Sequence, residues 1–130
     1  MQKYSFVKFQ LPMLLFMVII FTFSSFSRVK APEIGVHFQD KIYHFIAYSF
    51  FGFVLARSFY YQRYSMYIHV NYMIWGILFG SFYALSDEVH QYFVPGREMS
   101  IGDFIADALG VVFGFIIFRL IIVKRRTTDS

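Results

Sequence analysis

Long apolar runs alternate with short polar segments along this chain. Four runs share a length near the roughly 20 residues that a helix needs to cross a bilayer. They lie at about 8–27, 40–57, 67–86 and 101–123. The pattern predicts an all-α fold, an integral membrane four-helix bundle, built as a single domain over residues 1–130.

The first apolar run has two interpretations. Lys8 lies at its start and residues 25–27 read Ser-Phe-Ser, which resembles a small-x-small cleavage site, so a removed signal peptide is one alternative. The run is longer than the apolar segment of a signal peptide, and Pro12 suits a first helical turn. We therefore expect a retained first span, with cleavage as the open alternative.

The composition favours a membrane protein. Hydrophobic residues make up 58% of the chain and charged residues 15%, against a usual charged share of about 25%. Cysteine is absent, which excludes a disulfide framework, a thiolate nucleophile and a Cys-based metal site. The sequence also holds no glycine-rich phosphate loop and no nucleic-acid-binding module. The lipid bilayer is therefore the expected partner, and nucleic acid is not.

The distribution of Lys and Arg predicts the orientation in the membrane. Short cytoplasmic loops carry more of these residues than outer loops do. One set of loops and ends carries Lys3, Lys8, Arg57, Arg63, Lys124, Arg125 and Arg126, and the other carries Arg28, Lys30, Lys41 and Arg97. This bias predicts a multi-pass protein of the plasma membrane with both termini in the cytoplasm. Most of the acidic residues then face outward.

Acidic residues concentrate in the segment 87–107, between the third and fourth apolar runs. A charge at the bilayer centre costs about 2.5–3.5 kcal/mol on insertion scales, so this cluster indicates a polar site at a membrane surface or in a cavity. Helical spacing places Asp87, His90 and Gln91 on one face if the third helix continues past its apolar run. On the same spacing, Glu88 points elsewhere.

Two further polar stripes are predicted on the neighbouring helices. Asp40, His44 and Tyr48 recur at four-residue intervals, so they share one face of the second helix. Asp103 and Asp107 share a face of the fourth helix, which continues through two glycines. Small residues at this spacing allow another helix to approach closely. The two acids are therefore expected to face a neighbouring helix.

Some of these residues have a structural alternative. Ser100-x-x-Asp103 matches a capping box, in which Asp103 would satisfy backbone N–H groups at the start of the fourth helix. Asp40 suits the first turn of the second helix, where its charge is favourable to the helix dipole. Arg97 follows a Pro-Gly turn and could be a surface residue or an ion-pair partner of a nearby acid on the third helix.

Three kinds of chemistry fit the cluster. Carboxylates and imidazoles could bind a divalent metal, although the two-His motif His-Glu-x-x-His is absent. The candidate metal ligands are Asp40, His44, Asp87 and His90. Alternatively, His with Asp could act as general acid and base while Arg97 holds a phosphate. The pocket could also bind or move a head group without any reaction.

The ordered polar positions resemble those of the VanZ-like family of small bacterial membrane proteins. The similarity covers roughly residues 37–118. It rests on Asp40-Lys41-x-x-His44-Phe45-x-x-Tyr48, Asp87-Glu88-x-His90-Gln91-x-x-x-Pro95-Gly96-Arg97 and Ser100-x-x-Asp103-x-x-x-Asp107-x-x-Gly110. The family is named for a protein associated with resistance to the glycopeptide antibiotic teicoplanin. The resemblance therefore implies a multi-span protein of the bacterial cell envelope, related to antibiotic resistance.

Functions of several classes remain open on this basis. As an enzyme acting on a lipid-linked or cell-wall substrate, the protein would combine catalytic and substrate-binding side chains at a low-dielectric boundary. The catalytic set is His44, Asp87, His90 and Asp107, and the substrate-binding set is Arg97, Gln91, Tyr48 and Glu88. As a non-catalytic resistance factor, the protein would bind a head group, a lipid-linked cell-wall precursor or a glycopeptide. A structural adaptor and a transporter are further alternatives.

Overall fold

The computed structural model describes residues 5–26, 35 and 38–128. These residues form helices and no strand, which confirms the all-α prediction. The helices are α1 (Phe6–Phe9), α2 (Leu11–Ser24), α3 (Gln39–Tyr61), α4 (Met66–Val70), α5 (Tyr72–Tyr92) and α6 (Ile101–Thr128). Most of the predicted loop at 27–39, with Arg28 and Lys30, lies outside the described residues, and so does Lys3.

Helix α3 contacts every other helix of the described chain. Near its start, the Lys41 ammonium lies 3.2 Å from Asp103 in the first turn of α6. Near its end, the Tyr60 hydroxyl accepts a hydrogen bond from Arg126 in the last turns of α6. Because both pairs join matching ends, α3 and α6 run parallel.

Helix α5 runs in the opposite direction to α3. Its C-terminal part meets the first half of α3, where the Tyr48 hydroxyl donates to Asp87 at 3.1 Å. Its first residue, Tyr72, lies beside the end of α3, with ring centroids of Tyr60 and Tyr72 5.2 Å apart. The polar ends of α3, α5 and α6 therefore meet at one end of the molecule.

Helix α2 also runs opposite to α3 and parallel to α5. At one end, the Gln10 amide donates to the carbonyl of Ser58 at 3.3 Å. At the other end, the Ser25 hydroxyl lies 3.0 Å from Nε2 of His90 on α5. The four longer helices thus alternate in direction along the chain.

Glycines permit the closest helix contact, between α3 and α6. A Cβ atom at Gly110 would lie 2.6 Å from the carbonyl oxygen of Phe45, and one at Gly52 would lie 2.8 Å from Cα of Val111. At Gly114, a Cβ atom would meet the backbone of Ser49. These are backbone atoms that cannot move aside alone, so the interface tolerates no side chain at these positions.

The core is apolar, and much of the outer surface is apolar too. Phe51, Leu55, Val111 and Phe115 are completely buried, whereas Phe82 remains 70% exposed. Val18 and Leu120 are exposed on α2 and α6 in the same way. An apolar outer surface is stable against hydrocarbon, because lipid tails do not penalise exposed apolar side chains as water does.

Two helices are long and apolar enough to cross a membrane. They are Gln39–Tyr61, with 23 residues, and Ile101–Thr128, with 28 residues. Leu11–Ser24 is apolar but has only 14 residues, which span about 21 Å at 1.5 Å per residue. These helices fit a membrane protein, while multiple spans and the four-span bundle stay predictions.

The first predicted span, 8–27, is interrupted in the structure at Gln10, between α1 and α2. Pro12 lacks the backbone N–H that would otherwise bond to the carbonyl of Lys8. That carbonyl instead accepts a hydrogen bond of 2.9 Å from Arg57 at the end of α3. The break is thus compensated by a contact that the sequence pattern does not reveal.

The helix bounds differ from the third predicted span, 67–86, at both ends. Its first turn belongs to the short helix α4, and the chain then breaks at Asn71, whose side-chain amide donates to the carbonyl of Tyr67 at 3.0 Å. Side chains of this kind compete with backbone helix bonds. At the other end, α5 continues to Tyr92, because its polar last turns are buried among polar partners.

The second and fourth helices are longer than expected. The second was predicted to end at about Arg57 but ends at Tyr61, whose ring stacks on Phe9 at 4.5 Å. The fourth was predicted to end at Val123 but continues to Thr128, where the threonine hydroxyl donates to the carbonyl of Lys124 at 3.2 Å. Both extensions lie at the basic end of the molecule.

We expect Gly110→Ala to destabilise the protein, because the new methyl group overlaps the backbone of α3. Overpacking of this kind costs about 1–3 kcal/mol, so the thermal unfolding midpoint in detergent should fall by roughly 5 °C or more. Gly102→Ala is a matched control, since its Cβ would meet only the flexible end of the Lys41 side chain. Equal midpoints for the two variants would contradict the close α3–α6 packing.

Candidate functional site

Polar side chains from α3, α5 and α6 converge at one end of the helices. His44 and Asp107 form the central contact, with Nδ1 of His44 2.9 Å from Oδ1 of Asp107. Asp107 is completely buried; an ionised carboxylate only accepts hydrogen bonds, so with Asp107 ionised Nδ1–H of His44 is the donor. The second ring nitrogen, Nε2, lies 4.0 Å from Oδ2 of Asp103. Asp107 therefore fixes the orientation of the imidazole.

Asp87 is held by two donors. The Tyr48 hydroxyl donates to its Oδ2 at 3.1 Å, and the Gln91 amide donates to the same oxygen at 3.3 Å. All three side chains are buried. The shared face expected for Asp87 and Gln91 is therefore present, because α5 does continue through this segment.

Glu88 is the clearest correction to the sequence analysis. It was expected to point away from the face of Asp87, His90 and Gln91, with no partner foreseen, and it is completely buried. Its Oε2 accepts a hydrogen bond of 2.9 Å from the backbone N–H of Ser100, just before α6. Helical spacing places Glu88 on a different face from Asp87, and that face is covered by α6 rather than exposed. A direct substrate contact by Glu88 stays an untested expectation.

The capping-box alternative for Asp103 is half right. The Ser100 hydroxyl does accept from the backbone N–H of Asp103, at 3.3 Å. The reciprocal bond to the Ser100 N–H is made by Glu88 instead. The Asp103 carboxylate is thereby free to face α3, where it pairs with Lys41 at 3.2 Å.

Asp40 and Lys41 form the outer edge of the cluster. Lys41 bridges Asp40 and Asp103 with distances of 3.2 Å to each. The Asp40 side chain is 59% exposed, and among the described residues its ion pair within 4.0 Å is with Lys41. This exposed position fits a first-turn acid that interacts favourably with the helix dipole. Lys41 was not among the predicted site residues, although it is part of the pattern shared with the VanZ-like family.

His90 lies apart from His44 and Asp107. Its Nε2 is 3.0 Å from the Ser25 hydroxyl, and its ring stacks on Phe21 with centroids 4.6 Å apart. These partners lie at the C-terminal end of α2. The structure therefore brings His44, Asp87 and Asp107 together but places His90 between α5 and α2.

Arg97 reaches back to α2 rather than to an acid. Its Nη2 donates to the carbonyl of Phe23 at 3.2 Å, and none of the ion pairs in the described part of the chain involves it. Its Nε is buried without a hydrogen-bond partner among the described residues. Gly96, with φ of 81°, supplies the left-handed turn that directs Arg97 toward the site.

A cleft of about 370 Å³ opens beside the cluster, between α2, α3 and α5. One wall is mostly apolar and comes from α2: Phe16, Ile19, Ile20 and Phe23, with Ser24 at its end. The opposite wall is formed by Tyr43, His44, Tyr48, Asp87, Gln91 and Arg97, with Ala47; these side chains carry polar groups, but most of the surface that they present to the cleft is apolar. The shape suits a ligand with one polar end and one apolar end.

One group of potential metal ligands is present in the described part of the chain. It consists of His44, Glu88 and Asp103, each offering one ligand atom, with all three atoms within 4.8 Å of one another. Of the four ligands expected from the sequence, only His44 belongs to this group. Asp40 points to solvent and His90 points to α2.

Comparison with protein families supports the resemblance seen in the sequence. A family model described as VanZ/LLP1 matches residues 3–122, which is most of the chain and includes every residue of the cluster. Neither the curated proteins nor the solved structures contain a match to this chain.

We expect Tyr48→Phe and Asp87→Ala to be coupled in a double-mutant cycle. The two side chains share one hydrogen bond, and such bonds contribute about 1 kcal/mol inside membrane proteins. The unfolding free energy in detergent should therefore fall less for the double variant than for the sum of the single variants. Tyr92→Phe, at an exposed position on the same helix as Asp87, is the control and should show no coupling. Additive effects for Tyr48 and Asp87 would contradict the contact.

Proposed function

Because this chain belongs to the VanZ/LLP1 family, we propose that it is a four-span enzyme of the bacterial cell envelope. Its substrate is lipid-linked and has an anionic head group, such as a cell-wall precursor. Four spans are supported by the alternating directions of α2, α3, α5 and α6. In this proposal, α1 and α2 together complete the first span, and α5 forms the third.

The charges at the two ends of the bundle support the orientation. Lys8 and Arg57 meet at one end through the hydrogen bond between them, and Arg126 lies at that same end beside Tyr60. Basic residues favour the cytoplasmic side. Both termini then lie in the cytoplasm, and the His44–Asp107 cluster faces outward.

The single observation that carries the proposal is the cleft with two unlike walls. The α2 wall offers Phe16, Ile20 and neighbouring apolar side chains to a hydrocarbon tail. The opposite wall includes His44 and Arg97, whose polar groups lie at the cleft beside the buried Tyr48, Asp87 and Gln91. Its volume of about 370 Å³ lies within the roughly 300–1,000 Å³ of small-molecule sites. An amphipathic ligand that enters from the bilayer matches both walls.

Arg97 is the proposed anchor for the head group. A guanidinium binds phosphate and carboxylate oxygens through charge-assisted hydrogen bonds. Arg97 lines the cleft and makes no ion pair among the described residues. Its charge is therefore available to a negatively charged ligand.

His44 is the proposed reactive group. It lines the cleft, and Asp107 holds its ring from the buried side. Its Nε2 then faces the remaining acids of the site, where it can act on the head group by direct proton transfer or through a bound ion. Asp87 and its two hydrogen-bond donors support the same wall.

We expect Arg97→Gln to weaken binding of a polyprenyl phosphate by about tenfold, which corresponds to roughly 1.4 kcal/mol. Binding can be measured by native mass spectrometry of the protein in nanodiscs of zwitterionic lipid. Arg125→Gln removes the same charge at the opposite end of α6 and is the matched control. Equal affinities for the two variants would contradict the role of Arg97.

We expect His44→Ala to abolish conversion of a polyprenyl-diphosphate-linked substrate while binding is retained. Phosphorus NMR of the substrate in micelles follows any change at the head group. His69→Ala is the control, because His69 lies at the other end of α3, beside the carbonyl of Tyr60. If the wild-type protein binds the substrate and leaves its spectrum unchanged, the enzymatic part fails and a non-catalytic head-group or glycopeptide binder remains.

A further inference from the structure

Three helices each contribute one potential metal ligand to the centre of the cluster. His44 belongs to α3, Glu88 to α5 and Asp103 to α6, and their ligand atoms lie within 4.8 Å of one another. Around an ion with bonds of about 2.1 Å, tetrahedral ligand atoms lie about 3.4 Å apart. Small rotations of the side chains would therefore close the group around an ion, with no movement of the helices.

A buried oxygen of Glu88 points independently to a ligand. Glu88 is 0% exposed, and its Oε2 bonds to Ser100, but its Oε1 has no hydrogen-bond partner among the described residues. Leaving a buried carboxylate oxygen unpaired is costly, and such atoms in native proteins usually have an explanation. A cation coordinated by this carboxylate would remove the cost.

The imidazole of His44 is oriented as a metal ligand. Asp107 accepts a hydrogen bond from Nδ1–H of His44, so the unprotonated Nε2 presents its lone pair toward Asp103 and Glu88. Carboxylate–histidine pairs of this kind commonly hold metal-binding histidines, because the outer carboxylate fixes the ring and raises its basicity. Asp107 would therefore support the metal through His44 without touching it.

The charge balance of the cluster also favours a cation. Asp87, Glu88, Asp103 and Asp107 bring four carboxylates together, and among the described Lys and Arg residues only Lys41 forms an ion pair with one of them, Asp103. Lys41 occupies Oδ1 of Asp103 and leaves Oδ2, the oxygen nearer His44. Lys41 and an ion can therefore share this carboxylate.

We propose that the protein binds one divalent transition-metal ion, Mn²⁺ or Zn²⁺, through His44, Glu88 and Asp103. One nitrogen and two carboxylate oxygens suit these ions better than Mg²⁺ or Ca²⁺, which prefer oxygen alone. Three protein ligands leave coordination positions for water or for a head-group oxygen. Only this last use of the ion depends on the proposed function, because metal binding itself needs no substrate.

The test is metal binding by the full-length protein, purified in detergent without a histidine tag and stripped with a chelator. Loss of the free Mn²⁺ signal in electron paramagnetic resonance should indicate one ion per chain. Glu88→Gln and Asp103→Asn should each weaken binding at least roughly tenfold, and Asp107→Asn by about 10–100-fold. The nitrogen coupling of bound Mn²⁺ should disappear in His44→Ala.

Asp40→Asn is the matched control, because it removes an exposed acid at the same end of α3 without changing the three ligands. It should leave Mn²⁺ binding within about twofold. If Glu88→Gln does not fold, Asp103→Asn and the nitrogen coupling decide the question. No stoichiometric binding of Mn²⁺ or Zn²⁺ by the wild-type protein, or binding that survives all ligand substitutions, overturns the proposal.

The outcomes also separate this inference from the proposed function. The protein could bind polyprenyl phosphate through Arg97, without added metal, and bind no Mn²⁺. That result would reject the metal site and support the head-group site. The protein could instead bind Mn²⁺ with the expected dependence on the three ligands and bind no polyprenyl phosphate. That result would support the metal site and reject the lipid-linked substrate.

Discussion

The hydrogen bond between His44 and Asp107 is the contact on which the rest of the site depends. The two residues are 63 positions apart, and they meet because α3 and α6 approach until a side chain at Gly110 would collide with the backbone of Phe45. Parallel packing keeps this register along both helices. The same approach brings Lys41 to Asp103. Glycines deep in the interface thus determine the geometry of the polar groups at its end.

The second constraint is the cost of burying charge. Asp87, Glu88 and Asp107 are almost completely removed from solvent, and each keeps one carboxylate oxygen without a hydrogen-bond partner in the described part of the chain. Purely structural networks tend to satisfy all such atoms. Buried carboxylate oxygens without hydrogen-bond partners, next to a cleft, are more typical of a site that binds a ligand. This is why we interpret the cluster as functional rather than as a device that fixes helix register.

Sequence periodicity predicted which residues share a helix face, but not what each face meets. It grouped His44 with Tyr48, and Asp103 with Asp107, because spacing along one helix is local. It could not show that α6 covers Glu88 or that His90 turns to α2, since these depend on how separate helices pack. The predicted helix ends differ from those in the structure for a similar reason. The break before Pro12, for example, is compensated by Arg57, which lies 49 residues along the chain from Lys8, whose carbonyl it binds.

The most direct test of the account is nitrogen NMR of the histidines in protein labelled with ¹⁵N-histidine and reconstituted in nanodiscs. We expect His44 to have a protonated Nδ1 and an unprotonated Nε2, and we expect this state to be lost in Asp107→Asn. A His44 ring protonated at Nε2, or one that averages between both tautomers and ignores the Asp107 substitution, would contradict it.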